Sequence, residues 1–117
     1  GYMKAIGDRS RHIRNWMMFM EEYPLVLAPT TVRRTPEVNA DLKGEQRIKE
    51  IFQNDLRFIS AINVLGLPAA VVPVGLLEGL PVGVQIIGSR YREDLCLDAA
   101  AAIESRTGVL AKQLWSR

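Results

Sequence analysis

The side chains that could do chemistry in this sequence stand apart from one another. A serine hydroxyl attacks a carbonyl carbon only when a neighbouring base takes its proton. The five serines and four lysines are scattered, and no serine lies in a glycine- and serine-rich loop: Ser10, Ser60, Ser89, Ser105, Ser116, Lys4, Lys43, Lys49 and Lys112. The sequence therefore predicts no catalytic residue, because it pairs no nucleophile with a base.

The single histidine and the single cysteine do not suggest a metal site either. His12 lies among arginines, which is typical of a surface residue, and Cys96 lies in an alanine-rich segment, where we expect it to be buried and inert. One imidazole and one thiol fall short of the ligand set of a structural zinc site. We expect no metal, no organic cofactor and no internal disulfide.

Composition and charge narrow the class of protein. The 117 residues are 48% hydrophobic and 24% charged, which is ordinary for one globular domain over residues 1–117. A net charge of +2 without an aromatic-interleaved basic stripe makes a nucleic-acid partner improbable. The apolar runs are too short and too broken by Pro and Gly to span a membrane. A lone cysteine fits the reducing cytoplasm, where we expect the protein to lie.

Hydrophobic periodicity predicts the elements of the first half. We expect a helix from Asp8, its N-cap, to Glu22, followed by a buried strand at Leu25 to Ala28. Thr30 to Lys43 lacks any period and is expected to be a loop. A second helix is predicted from Gly44 to Ser60, where apolar residues recur every three or four positions.

Two apolar runs bounded by glycine and proline predict two neighbouring strands. They cover Ala69 to Val74 and Val82 to Ile87, and the short Gly75 to Leu80 connection favours antiparallel pairing. Pro73 cannot donate a ladder hydrogen bond, so we expect it at a bulge, an edge or a strand end. Both runs are nearly continuous in apolar residues, which predicts cover on both faces.

The predicted fold class is α/β. A last helix is expected from Glu93 or Asp94 to Arg106, with Gly108 as its C-terminal cap. The whole reads as a small mixed sheet of about three strands covered by about three helices. We expect a sheet with such apolar strands to lie in the interior of a larger folded structure.

Several spaced blocks closely resemble the C-terminal part of the amidase signature family. The resemblance covers roughly residues 9–108 and keeps the order of the family's blocks. It rests on Trp16 and Phe19, Tyr23-Pro24, Leu27-Ala-Pro-Thr30, Asn63-Val-Leu-Gly-Leu-Pro-Ala, Val72-Pro-Val-Gly75, Gly79-Leu-Pro-Val-Gly-Val-Gln-Ile-Ile-Gly88, and Glu93 to Glu104.

The resemblance implies a hydrolase of carboxylic amides that acts through an acyl-serine intermediate on a small amide substrate. The family's two catalytic serines and its lysine lie upstream of the matched region, so none can be assigned here. The chain also begins Gly1-Tyr2-Met3. We therefore expect the C-terminal fragment of an amidase, inactive alone, that supplies sheet strands and one wall of the substrate cavity.

The resemblance also points to four residues that could contact substrate. Thr30 and Thr31 follow a strand that ends near the substrate cavity in the family, although a turn role is at least as well supported. Asn63 introduces the Gly66-Leu67-Pro68 turn, where its side chain could bond local backbone instead.

Asp55 is the fourth of these residues. It lies near an acidic position that contacts the substrate amine in the family's transamidating branch, which supplies ammonia for mischarged tRNA. It could instead pair with Arg57 or Arg9. Gln85, Gly83 and Gly88 are expected to be structural, the first through a buried hydrogen bond and the glycines through close packing.

Two other functions stay open. The chain could be a stand-alone interaction module, or a piece of the amidase component of a tRNA-dependent amidotransferase, with salt-dependent RNA binding. Strands cut from a larger sheet leave unpaired edges and uncovered apolar faces. We therefore expect a homo-oligomer formed through sheet edges or through exchange of the first helix.

Overall fold

The computed structural model describes residues 1–116, which form a three-stranded sheet with helices on both faces. The α/β class and the three strands are confirmed, and every pairing is antiparallel instead of mixed. A 3-10 turn spans Ala40–Leu42 and a π-helix spans Ile51–Asp55. The helices and strands are α1 (Tyr2–Glu22), β1 (Leu25–Pro29), α2 (Glu45–Glu50), α3 (Arg57–Leu65), β2 (Ala69–Leu77), β3 (Leu80–Gly88), α4 (Glu93–Thr107) and α5 (Leu110–Trp115).

The strand order is β1-β3-β2, so β3 lies in the centre of the sheet. β2 and β3 are longer than predicted, and only Glu78 and Gly79 connect them. Both residues have positive φ, 52° and 82°, the sign that a two-residue type I′ hairpin turn requires. The register slips between Pro73 and Gly75, which confirms that Pro73 lies at a bulge.

The core has one layer on each side of β3. Because side chains alternate along a strand, Ile86 and Ile87 point to opposite faces, and they are 0% and 2% exposed. Ile87 packs with Met20 of α1 and with Ile62 of α3, while Gly88 approaches α4 on the other face. Cover on both faces is thus confined to the C-terminal half of β3.

The edge strands differ from the prediction of full cover. Val71 of β2 is 59% exposed and Leu27 of β1 is 64% exposed. β1 and β2 each have one unpaired edge, because among the described residues each strand pairs only with β3. The prediction of cover on both faces is therefore wrong for β2, and the prediction that β1 is buried is wrong at Leu27, since the described helices do not cover these side chains.

Helix α1 begins at Tyr2, so the prediction that Asp8 caps it is wrong. Asp8 lies inside the helix and accepts a hydrogen bond from Arg11 Nη2 at 3.0 Å. Met3, Lys4 and Ala5 are good helix formers, and Gly7 weakens the helix without ending it. Among the described residues, no helix is long and apolar enough to cross a membrane. The short α5 was not predicted.

The predicted helix from Gly44 to Ser60 is not continuous. The π-helix interrupts it, and the Leu56 amide donates to the carbonyl of Ile51, five residues earlier, at 2.8 Å. A single extra residue in the helical repeat rotates all later side chains relative to the earlier ones. Helix α3 then continues to Leu65 and ends at Gly66, whose φ is 66°.

Candidate functional site

The end of β1 leads directly into a cavity. Thr30 and Thr31 are half-buried and line a cavity of about 320 Å³ between the segment after β1 and the start of β3. The Thr30 hydroxyl Oγ1 donates to the backbone carbonyl of Gly83 at 3.1 Å. This bond holds the start of the segment against the central strand, while Thr31 makes up part of the cavity wall.

Asp55 lies in a second, larger cavity next to the first. This cavity has a volume of about 730 Å³ and shares four residues with its neighbour: Arg33, Arg34, Thr35 and Leu80. Asp55 ends the π-helix and is 1% exposed. Its backbone carbonyl accepts a hydrogen bond from the Val32 amide at 3.0 Å, which fixes the segment after β1 against the π-helix.

Two guanidinium groups flank the Asp55 carboxylate without hydrogen bonding to it. Arg33 Nε lies 3.6 Å from Oδ1 and Arg47 Nη2 lies 3.8 Å from Oδ2. Both distances exceed those of ordinary N–H···O hydrogen bonds. Among the described residues, Oδ1 has no hydrogen-bond donor. The site is therefore a buried carboxylate whose charge two arginines offset and whose Oδ1 is closed off from solvent.

The sequence suggested other partners for Asp55, and these are wrong. Arg9 Nε donates to the carbonyl of Val64 at 2.6 Å, near the C-terminus of α3. The Arg57 guanidinium lies over the ring of Phe58, 5.2 Å from its centroid. Neither arginine therefore pairs with the Asp55 carboxylate.

The cationic wall of the larger cavity was missed by the sequence reasoning. Arg34 pairs with Glu78 in the hairpin turn, and Lys43 pairs with Glu37. The Lys43 ammonium lowers the pKa of the Glu37 carboxyl below its ordinary value. The only available signal was the basic pair that follows the end of β1, and its partners are distant in the sequence.

The fourth predicted site residue lies elsewhere. Asn63 lines neither cavity, and its side chain is exposed near the end of α3. Its backbone carbonyl, and not its side chain, accepts a hydrogen bond from the Gly66 amide at 3.2 Å. The structure thus brings Thr30, Thr31 and Asp55 together along two adjoining cavities and leaves Asn63 apart.

The residues expected to be structural are confirmed as such. Gln85 is 2% exposed, and its Nε2 donates to the carbonyl of Pro29 at 3.1 Å, which joins β3 to the end of β1. A Cβ at Gly83 would lie 3.4 Å from the nearest side chain, and one at Gly88 would lie 2.6 Å from Cys96 Sγ. Both glycines therefore permit close packing.

His12 and Cys96 also lie where the sequence predicted. The His12 side chain is exposed on α1, whereas Cys96 is 2% exposed. Burial raises the pKa of the Cys96 thiol, and the nearby Glu93 carboxylate raises it further. A thiol whose pKa is raised is a poor nucleophile near neutral pH, so Cys96 is a packing residue.

The comparison with protein families identifies the family of this chain. The family model described as Amidase matches residues 1–97. The chain belongs to the Amidase family. The resemblance noted in the sequence is thereby confirmed.

Two relatives in the Amidase family differ in their similarity to the chain. The indoleacetamide hydrolase of Bradyrhizobium japonicum is 63% identical over 114 residues, which are 97% of this chain and 24% of the relative. A glutamyl-tRNA(Gln) amidotransferase subunit from Lactococcus lactis is 36% identical over 112 residues, 96% of this chain and 22% of the relative. The chain therefore spans about a quarter of the length of these relatives.

Solved structures from the family share the same fold over this segment. A glutamyl-tRNA(Gln) amidotransferase subunit from Thermotoga maritima has a TM-score of 0.75 at 27% identity, covering 92% of this chain and 23% of its own. A 6-aminohexanoate cyclic dimer hydrolase complexed with substrate has a TM-score of 0.63 at 33% identity, covering 85% and 23%.

Proposed function

We propose that this chain is the C-terminal part of an amidase domain that hydrolyses a small carboxylic amide through an acyl-serine intermediate. The observation that carries the proposal is the 63% identity to an indoleacetamide hydrolase over 97% of the chain. An arylacetamide is accordingly the substrate class that we propose. The lone, buried Cys96 supports a cytoplasmic location as part of the same proposal.

The shape of the chain supports its role as one layer of a larger domain. The described residues expose 8480 Å², whereas a compact protein of 13.1 kDa exposes about 6,400 Å². The radius of gyration is 16.5 Å against about 13 Å for a compact chain of this length. The thinnest dimension is 16 Å, so the molecule is a slab. We propose that residues 1–117 belong to a single domain that other segments complete.

We propose that Thr30, Thr31 and Asp55 form the wall that faces the substrate. They line two adjoining cavities, and each offers an oxygen that can accept a hydrogen bond from an amide. Asn63 lies outside both cavities. We propose that it affects substrate binding only indirectly, through other segments that pack on α3. Its contribution to substrate binding should therefore be smaller than that of Asp55.

We propose that the 117 residues alone do not hydrolyse amides. Three serine hydroxyls donate to groups that are not bases: Ser10 Oγ to Ile6 O at 3.0 Å, Ser105 Oγ to Ala102 O at 2.8 Å, and Ser89 Oγ to Met17 Sδ at 3.6 Å. None of these contacts activates a hydroxyl, since none of the partners is a base. The nucleophile, its base and the groups that stabilise the oxyanion would come from the rest of the domain.

A graft tests the proposal. The matched segment of the Bradyrhizobium indoleacetamide hydrolase is replaced by this chain, and ammonia release from indoleacetamide is measured. We expect the graft to be active and the 117-residue chain alone to be inactive. A folded graft without hydrolysis, or turnover by the chain alone that is lost on Ser60→Ala or Ser89→Ala, would contradict the proposal.

A second candidate is the amidase component of a tRNA-dependent amidotransferase. It is supported by the 36% identity to the Lactococcus protein and by the TM-score of 0.75 to the Thermotoga protein. The higher identity to the indoleacetamide hydrolase favours the first candidate. Steeply salt-dependent RNA binding would favour the second. No observation favours a stand-alone interaction module.

A further inference from the structure

Three apolar side chains lie together on one face of the hairpin that β2 and β3 form. Leu77 and Leu80 are directly opposite each other in the strand register, so their side chains point to the same face. Val82 follows Leu80 by two residues and therefore points to that face as well. These three residues are called the hairpin wall below.

The hairpin wall lines the smaller cavity, whose volume is about 320 Å³. A ligand can reach all three side chains, because Leu77 is 55%, Leu80 is 48% and Val82 is 39% exposed. Val32, in the segment after β1, adds a fourth exposed apolar side chain to the same cavity. Exposed apolar groups in a concave surface are stabilised when an apolar part of a ligand covers them.

Two contacts tie the hairpin to the segment after β1 and preserve the cavity between them. Arg34 pairs with Glu78 in the hairpin turn, and Thr30 Oγ1 donates to the carbonyl of Gly83 at 3.1 Å. Glu78 and Gly83 flank Leu80 and Val82 in the chain, so both ends of this stretch of the wall are held.

The size and the charge of the cavity indicate what part of a ligand the hairpin wall accepts. A volume of about 320 Å³ is near the lower end of small-molecule sites, which suits one ring system better than a long acyl chain. The two arginines that line this cavity both have carboxylate partners: Arg33 lies 3.6 Å from Asp55, and Arg34 pairs with Glu78. Their charge is therefore offset, and an uncharged ring fits beside them.

We propose that the hairpin wall is the subsite for the aryl ring of the substrate, with Leu80 and Val82 as its specificity-determining residues. That the ring belongs to the substrate rests on the proposed function, in which an arylacetamide is hydrolysed. The two side chains contact the ring and not the amide group. Because the amide is common to all substrates of an amidase, the wall selects among them by the ring that each carries.

The subsite is tested on the isotopically labelled chain, which is titrated with indole and separately with acetamide while its amide resonances are followed by NMR. We expect indole to shift the resonances of the hairpin wall and acetamide to leave them unshifted. Removing one CH₂ group from an apolar contact weakens binding by about fourfold, so Leu80→Ala should weaken indole binding by at least that factor. Leu97→Ala on α4 is the matched control, at a leucine that is 64% exposed, and should not weaken it.

The graft measures the same subsite by its substrate preference, the ratio of kcat/KM for indoleacetamide to kcat/KM for acetamide. Leu80→Ala and Val82→Thr should each lower this ratio by about tenfold, the usual effect of one methyl group in an apolar pocket, mainly through a higher KM for indoleacetamide. Val82→Thr keeps the shape of the side chain and changes only its polarity. Val71→Thr on β2 is its matched control, because Val71 is exposed but lines neither cavity, and it should leave the ratio unchanged.

Three results would overturn the inference: indole that leaves the hairpin wall unshifted, indole binding that Leu80→Ala does not weaken, or an active graft whose substrate preference is the same in both wall variants. The third result would mean that the ring lies against other segments of the domain. An active graft with an unshifted wall contradicts the inference alone. An inactive graft contradicts the proposed function, and the indole titration then decides whether the hairpin wall binds a ring.

Discussion

At the residue scale, the close packing between the central strand β3 and α4 depends on glycine at position 88, which has no side chain. A Cβ added to Gly88 would lie 2.6 Å from Cys96 Sγ and 3.2 Å from the carbonyl of Arg92. Both neighbours are fixed, because Cys96 is 2% exposed and the Arg92 carbonyl precedes the first turn of the helix. The identity of residue 88 thus sets how near α4 lies to the sheet.

We predict that Gly88→Ala destabilises the fold by about 1–3 kcal/mol, the usual cost of overpacking a filled site. Gly75→Ala is the matched control, since it also lies in a strand and a Cβ there meets nothing within 4 Å. The free energy of unfolding is measured by urea denaturation. Equal stability of the two variants would show that α4 can move away from the sheet without loss.

The role of a residue could be predicted from the sequence where its own chemistry and its neighbours in the chain determine that role. Gln85 inside an apolar run had to be hydrogen-bonded, and the structure gives it the Pro29 carbonyl. The partners of Asp55 could not be predicted in this way. Its partners Arg33 and Arg47 come from a loop and from the far side of a π-helix, so no spacing in the sequence connects them.

At the element scale, two glycines show how the same residue type plays opposite roles. Gly79 in the hairpin turn has a φ of 82°, a conformation that side-chain-bearing residues rarely adopt. Gly7 lies inside α1, and a Cβ there would meet nothing within 4 Å. The turn requires its glycine, whereas the helix is only weakened by one.

We predict that Gly79→Ala destabilises the chain by about 1 kcal/mol and that Gly7→Ala stabilises it by about 0.5–1 kcal/mol. Each substitution serves as the control for the other, because both add one methyl group at an exposed position. Thermal and urea unfolding measure the two changes. Destabilisation by both substitutions would contradict the description of α1 as a regular helix around Gly7.

The elements themselves were predicted unevenly. β2 and β3 follow from apolar runs bounded by glycine and proline, and their bulge follows from Pro73. The π-helix was not predictable, because the apolar residues of α2 and α3 recur at helical spacing on either side of it. One inserted residue changes which face Asp55 occupies, and only packing against the loop after β1 reveals the outcome.

At the scale of the whole molecule, the chain exposes more surface than a compact protein of its mass. The excess is about 2,100 Å², the area of a full-sized protein interface. Exposed apolar side chains lie on both edge strands, including Leu27 of β1 and Val71 of β2. In a longer amidase domain other segments would cover this surface, and in the isolated chain a second copy is the available partner.

We predict that the isolated chain self-associates, either by pairing of sheet edges or by exchange of α1. Leu27→Lys on β1 should weaken association, because a lysine on an edge strand blocks edge pairing. Leu97→Lys on α4 is the matched control, since both leucines are 64% exposed. Light scattering over a range of concentrations measures the mass. Association that Leu27→Lys leaves intact would point to α1 exchange, and a strictly monomeric chain would contradict the prediction.

The rate of ammonia release by the graft decides whether these residues complete an amidase domain. The intact Bradyrhizobium relative, the same relative lacking the matched segment, and the graft are compared on indoleacetamide. We expect the graft to reach a kcat/KM within about tenfold of the intact relative, a difference of about 1.4 kcal/mol in transition-state stabilisation, and the shortened relative to be inactive. A graft that folds as the relative does, yet is as inactive as the shortened relative, would contradict the claim.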